Sequence, residues 1–375
     1  MGSDRDAAED PAPVSRRRRV RIAFGLVAVA VPAILVALAL LADAWRWRRP
    51  LVLGKTDSPV GLAILGDGRT TLVLDRETGG EILEPAFLKV SRRRVFTLPP
   101  PAPQTGPGGA VGHCPFAVSP DEKLAFLGDG WLSRLVPLAR SDAPAAIDTR
   151  AVVSAAFSRD GRLLVTASRR GFEPATLWDV ASGQPLRTIE TAPAPTSVDF
   201  SSDGGSILSV SVHSIVISDT GTGLVTCRHD AVRANHFQSA GWFLPEPDRI
   251  AIFSETLEVL DAKTWKVDRE IAATEPWNLD CAALSSDRRL IAFSVTTGDE
   301  QLSVTQRRAR VAVYLTATGS RIADVVLADQ FPEIAAFHEK DTPDVLALSP
   351  EGDACAAVMH EGLIVRFPIP RGGER

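Results

Sequence analysis

Residues Phe157–Leu186 read FSRDGRLLVTASRRGFEPATLWDVASGQPL, and the fold turns on how that stretch is parsed. Two turn-forming clusters lie in it, Ser158-Arg159-Asp160-Gly161 and Asp179-Val180-Ala181-Ser182-Gly183. Asp bonds to backbone amides ahead of it and Gly accepts positive φ, so each cluster suits a tight turn between two strands. The runs beside them, RLLVTAS and ATLW, are strand-like. The stretch therefore reads strand, turn, strand, loop, strand, turn, strand. A four-stranded unit this small cannot bury its own apolar face and must stack on others.

Others are present. The Asp-x-x-Thr/Ser-Gly turn recurs at Asp75-Arg76-Glu77-Thr78-Gly79 and Asp219-Thr220-Gly221-Thr222-Gly223, with variants at Asp261–Trp265 and Leu315–Gly319. The upstream turn recurs at Ser119-Pro120-Asp121, Ser202-Asp203-Gly204, Ser286-Asp287 and Ser349-Pro350-Glu351-Gly352. The hairpin-like pair LAILGDG (62–68) and LAFLGDG (124–130) supports the first two units, the second turn of the later one falling near Pro137. A last unit has its second turn near Phe367. Units of roughly 40–60 residues with four strands each predict an all-β protein, a seven-bladed β-propeller over 50–371. Six or eight blades stay open, because the first and last units are the least regular. The final unit stops after its third strand at Ile364–Pro368, and Leu51-Val52-Leu53 is the expected supplier of the missing outer strand.

The stretch AAFSRDGRLLVTASRRGFEPATLWDVASGQPL resembles a WD40 repeat, with Trp178-Asp179 at the end of its third strand. The resemblance implies a propeller that serves as a protein-interaction scaffold. This chain lacks the family's Gly-His dipeptide upstream of each blade, and Arg169 or Arg170 stands where an acidic residue is usual, so the family's polar network is expected to be incomplete. Units such as TLVLDRETGG are equally similar to bacterial propellers with V-x-D-x-x-T-G repeats and to pyrroloquinoline-quinone enzymes. The latter tend to carry Trp at a fixed offset in most blades. Here Trp131, Trp178, Trp242, Trp265 and Trp277 fall at unlike offsets, which weighs against an exported enzyme or quinoprotein-like ligand binder, the alternative reading.

Ahead of the repeats, residues 1–21 form an acidic, then basic tail ending in RRRRVR (16–21). Ile22–Ala42 contains no charged residue. As a helix it spans about 31 Å against a hydrocarbon core of about 30 Å. Trp45 and Trp47 follow, with Arg46, Arg48 and Arg49, as expected at a lipid–water boundary. Residues 22–45 therefore read as a single transmembrane helix. The competing reading is a cleaved signal peptide ending at Ala42-Asp43-Ala44, but the apolar run is longer than such segments use. The arginines before the helix place the N-terminus in the cytoplasm and the propeller on the exported side.

Net charge and motif content narrow the function. The whole chain carries −5, yet nine of its arginines and five of its acidic residues fall in 1–49, which leaves an acidic body. Such a body offers no clustered positive potential for nucleic acid, and the islands Arg92-Arg93-Arg94 and Arg307-Arg308 read as solvated loop charge. Cys114, Cys227, Cys281 and Cys355 lack CxxC spacing and read as buried thiols. The histidines form no zinc signature, and His229-Asp230 with His236 reads as ordinary polar loop chemistry rather than a ligand trio. No nucleophile motif, phosphate loop or cofactor signature occurs. The chain is therefore expected to be non-enzymatic, without a cofactor, and to bind other proteins. Loops joining the second and third strands of successive blades converge on one mouth of the ring; Asp67, Asp129 and Glu255 are assigned to them. Their diverse side chains make Arg169, Arg170, Phe172, His213, His360 and Glu361 the partner-binding candidates.

Overall fold

A computed structural model of the chain describes residues 49–56, 59–75, 79–85, 90–96, 116–128, 133–138, 145–147, 152–168, 174–230, 240–253, 257–271, 278–297, 308–331, 343–359 and 362–369. The tail and the apolar segment at 22–45 lie outside these residues. Among the described residues no helix is long and apolar enough to cross a membrane.

Strand β1 (Leu51–Lys55) precedes the first blade. Blade 1 is β2 (Pro59–Ile64), β3 (Thr71–Asp75), β4 (Gly79–Pro85) and β5 (Val90–Phe96). Blade 2 is β6 (Phe116–Val118), β7 (Leu124–Gly128), β8 (Ser133–Pro137) and β9 (Ala145–Ile147). Blade 3 is β10 (Val152–Phe157), β11 (Leu163–Ser168), β12 (Ala175–Asp179) and β13 (Pro185–Ile189). Blade 4 is β14 (Ser197–Phe200), β15 (Ser206–Val210), β16 (Ile215–Asp219) and β17 (Val225–His229). Blade 5 is β18 (Ala240–Phe243), β19 (Arg249–Phe253), β20 (Leu257–Asp261) and β21 (Val267–Ile271). Blade 6 is β22 (Asn278–Leu284), β23 (Leu290–Thr297), β24 (Arg308–Leu315) and β25 (Arg321–Val326), followed by the short helix α1 (Leu327–Gln330). Blade 7 is β26 (Pro343–Leu348), β27 (Ala354–Met359) and β28 (Leu363–Pro368). Each blade is an antiparallel meander of four strands, here called a to d from the inside outwards. The fourth strand of blade 7 is β1, antiparallel to β28 with Leu51 opposite Arg366 and Lys55 opposite Leu363. The expectation for Leu51-Val52-Leu53 is met, and the count is seven blades.

Apolar clusters fill every junction around the ring. Phe126 and Leu135 meet Phe157 and Trp178 between blades 2 and 3; Leu177 and Ile189 meet Phe200 and Ile207 between blades 3 and 4. Phe253 stacks on Phe293 between blades 5 and 6, and Leu53 and Ile364 of blade 7 meet Leu62 and Leu83 of blade 1. Each fully buried side chain of this size contributes about 1.5–3 kcal/mol, so the blades hold together through shared faces that none of them buries alone.

The inner strands are also tied by side chains at one repeating offset. Ser154 Oγ accepts the Val198 amide at 3.0 Å, Ser197 Oγ the Gly241 amide at 2.8 Å, and the Asp199 carboxylate the Phe243 amide at 2.8 Å. Trp178 Nε1 donates to Thr166 Oγ1 at 2.9 Å in the buried interior of blade 3.

The phase of blade 1 differs from its sequence reading. Asp75–Gly79 joins strands b and c, since Asp75 lies opposite Gly79 in the β3–β4 pair, whereas the same motif in blades 3 and 4 joins c and d. LAILGDG runs from strand a into the a–b turn, while LAFLG is strand b of blade 2, so those two stretches are not equivalent.

Candidate functional site

Antiparallel meanders put the a–b and c–d turns on one rim and the b–c and d–a connections on the other. The chemistry of the a–b turns is uniform in five blades. Ser119, Ser158, Ser201, Ser285 and Ser349 donate their hydroxyls to Asp121, Asp160, Asp203, Asp287 and Asp353 at 2.6–2.7 Å. Each hydroxyl also accepts the amide that starts strand b, at 2.9–3.0 Å. In blades 4 and 6 the serine that closes the turn is thus Ser201 or Ser285, one residue before the serine adjacent to the aspartate. The serine hydroxyl is the largest influence holding Asp121, Asp160 and Asp203 below the ordinary carboxylate range. Blade 1 uses a variant in which Asp67 accepts the amides of Arg69 and Thr70, both at 2.8 Å. Asp67 is therefore an a–b turn residue and not on the rim to which its sequence context assigned it.

Of the six partner-binding candidates, His213 is described. It is exposed at the tip of the b–c turn of blade 4, where Ser211 Oγ accepts the amides of His213 and Ser214 at 3.3 and 3.1 Å. Arg169, Arg170, Phe172, His360 and Glu361 lie outside the described residues, as do Asp129 and Glu255. His229 stacks flat on Trp265, ring centroids 5.1 Å apart, and Asp230 accepts from Arg228 at 2.9 Å; His236 lies outside the described residues. Among the described residues no cluster of His, Cys, Asp and Glu is arranged to hold a metal ion. Cys227, Cys281 and Cys355 are thiols rather than disulfides, and Cys114 lies outside the described residues.

The repeat is abandoned in blade 5. Its a–b turn reads Leu244-Pro245-Glu246-Pro247-Asp248, without the serine, and Asp248 takes the left-handed backbone (φ 57°). Two prolines fix φ and remove amide donors, so this turn keeps its shape without the serine–aspartate bonds. Its c–d turn departs as well: Trp265, at φ 59°, stands where Gly183, Gly223 and Gly319 stand in blades 3, 4 and 6. A groove of about 620 Å³ opens between blades 4 and 5 on this rim. Ser202 and Asp203 form one wall, Glu246 and Asp248 the other, and Cys227 and Lys263 lie along its length.

The groove is charged but largely self-paired. Lys263 Nζ donates to Asp248 at 2.6 Å, Arg249 to Asp261 at 2.5 Å, and Arg269 to Glu246 at 2.9 Å and Asp268 at 2.6 Å. Amide and hydroxyl donation from Thr264, with Arg249 nearby, brings the Asp261 carboxyl down to about 2. The second oxygen of Glu246 is shielded from solvent and accepts no bond among the described residues. Asp203, Glu246, Asp248, Asp261 and Asp268 outnumber Arg249, Lys263 and Arg269, so the surround is net acidic.

A residue from a third blade bonds to the residues that lead into both walls of the groove. Arg288, in the a–b turn of blade 6, donates through its two terminal nitrogens to the two Asp199 oxygens at 2.8 and 2.9 Å. The terminal nitrogen that meets Asp199 Oδ2 also lies 3.0 Å from the Phe200 carbonyl and 2.9 Å from the Phe243 carbonyl, so its two hydrogens are shared among three acceptors. Burial pushes the Asp199 carboxyl above the ordinary range, against the pull of Arg288 and the Phe243 amide. The sequence signal for this region was the gap in the Ser-x-Asp series at blade 5; nothing local in the sequence marked Arg288. No family model matches the chain, and no curated protein matches it.

Proposed function

We propose that the chain is a non-enzymatic protein-binding platform: a WD40-like propeller tethered to a membrane by the Ile22–Ala42 helix, with its N-terminus cytoplasmic and its blades on the exported side. The observation that carries this reading is the coincidence of an open, net-acidic groove with blade 5, where prolines stand in place of the serine–aspartate turn. A solvated turn needs only the serine–aspartate chemistry that five other blades use. Giving it up for a proline-braced wall makes sense where the rim must present a fixed shape to something else. His213, on a tightly bonded hairpin of the opposite rim, offers a second exposed contact.

The test uses intact cells. Protease added from outside is expected to cut the propeller and spare the tail. A photo-crosslinking side chain at Ser202 or Lys263 is expected to trap one discrete protein. The same side chain at Arg159, in the regular turn of blade 3, is expected not to trap it. Equal trapping at both positions, or a purified body that is monomeric, captures nothing and carries a bound chromophore, would overturn the reading.

A further inference from the structure

The geometry points to Arg288 as the clamp that fixes the spacing of the two walls of the blade 4–blade 5 groove, a positioning role exercised from blade 6. The atoms it holds are the roots of those walls. The Phe200 carbonyl immediately precedes Ser201, where the blade 4 wall begins, and the Phe243 carbonyl immediately precedes Leu244, where the blade 5 wall begins. Asp199 completes the tie, because one of its oxygens accepts both the Phe243 amide at 2.8 Å and the Arg288 guanidinium at 2.8 Å. A guanidinium presents its donors in a rigid planar fork, so atoms bonded to it cannot separate without breaking several bonds together. The pair is sheltered, with Asp199 at 8% and Arg288 at 24% side-chain exposure, so salt screens it little.

The backbone supports the same assignment. Arg288 has φ 61°, at the turn position where Gly68, Gly161, Gly204 and Gly352 have φ between 64° and 72°. A long side chain in the left-handed region is strained, and that position is glycine in four blades. The other non-proline, non-glycine residue at this position also holds something: Glu122 accepts the Gly66 amide of blade 1. At this turn position, side chains are kept where they tie neighbouring elements, and Arg288 ties the most.

The test reads groove spacing directly and needs no partner, so it stands apart from the proposed function. Cys227 lines the groove and is half-buried, whereas Cys355 is fully buried and burial pushes its thiol well up. Alkylation by iodoacetamide is followed at each cysteine by peptide mass spectrometry on the folded protein. In Arg288→Gln the Cys227 rate is expected to rise about tenfold, with Cys355 unchanged. Arg288→Lys, which keeps the charge without the fork, is expected to fall between. Adding Asp199→Asn to Arg288→Gln is expected to give no further rise, because both act through one tie. The inference is overturned if Cys227 reacts at the original rate in Arg288→Gln, or if Cys227 and Cys355 accelerate by the same factor. If Arg288→Gln fails to fold, Arg288→Lys decides on the same two rates.

Discussion

The ring is joined to itself in two different ways. At the junction of blades 7 and 1 the tie is a backbone ladder, β1 on β28, backed by Leu53 and Ile364 against Leu62 and Leu83. Across blades 4 to 6 it includes one guanidinium bonded to a carboxylate and two carbonyls. A ladder needs only extended backbone and apolar faces, so many sequences can build it. A forked charge needs particular residues at particular positions, and it trades generality for a defined spacing. The first device serves closure and the second serves shape.

The largest effect is expected at the ladder. Deleting residues 50–56 removes β1, including the buried Leu53, and should cost about 5 kcal/mol, read as a fall of roughly 10 °C in melting temperature. An unchanged melting temperature would mean that closure does not depend on this strand. A sharper probe of the same junction is Gly362→Ala. Gly362 has φ 77°, and a Cβ there would lie 1.7 Å from the Thr56 carbonyl oxygen that borders β1. This change should cost about 2–4 kcal/mol, against about 1 kcal/mol for Gly183→Ala, which has φ 66° and open space around it. Equal losses in denaturant melts would show that strain alone matters and that the close approach at the closure junction does not.

Smaller effects should separate regular turns from the irregular one. Ser158→Ala leaves the Leu163 amide and Asp160 without their shared hydroxyl and should cost about 1–2 kcal/mol in urea midpoint analysis. The change Pro247→Ala in blade 5 should cost about 1 kcal/mol or less, acting through chain entropy rather than a lost bond. The reverse ranking would mean that the proline-braced wall carries more of the fold than the serine turns do. The mildest dependence is on pH. Asp121, Asp160, Asp179, Asp203, Asp219 and Asp261 all sit below the ordinary value of 3.8, through hydroxyl and amide donors of their own turns. Folded carboxyls with lowered values stabilise the protein above the unfolded value, and that contribution disappears as pH falls through the folded ones. The share of the urea midpoint that these turn carboxyls supply should therefore be complete above about pH 4 and decline gradually towards about pH 2, where Asp261 titrates. A midpoint indifferent to that range would mean that the turn bonds contribute nothing net.

Much of the architecture was legible because it is written in local chemistry. Turn residues at Ser158–Gly161 and Asp179–Gly183 name their own hairpins, and the repeat distance then implies a ring. Phase was the weak point. Asp-x-x-Thr-Gly makes a tight turn wherever it falls, so Asp75–Gly79 carries no mark of closing strands b and c rather than c and d. The site was legible only in part. The missing serine in blade 5 is visible in sequence, but Arg288 looks like any exposed turn arginine. Its partners lie 88 and 89 positions earlier, at Phe200 and Asp199, and 45 earlier, at Phe243. Bonds over such separations follow from ring curvature, which a single sequence does not display.

The place of β1 in blade 7 has a consequence for how the protein is made. Leu51 leaves the ribosome first, and its partner Arg366 follows more than 300 residues later. At ordinary synthesis rates of about 5–20 residues per second, the wait is roughly 15–60 s. Throughout that interval blades can stack in order while the strand that will finish the circle has nothing to pair with. An unpaired strand with two leucines and a valine invites the wrong neighbour, so a nascent chain of this kind benefits from a holding chaperone until its last blade emerges.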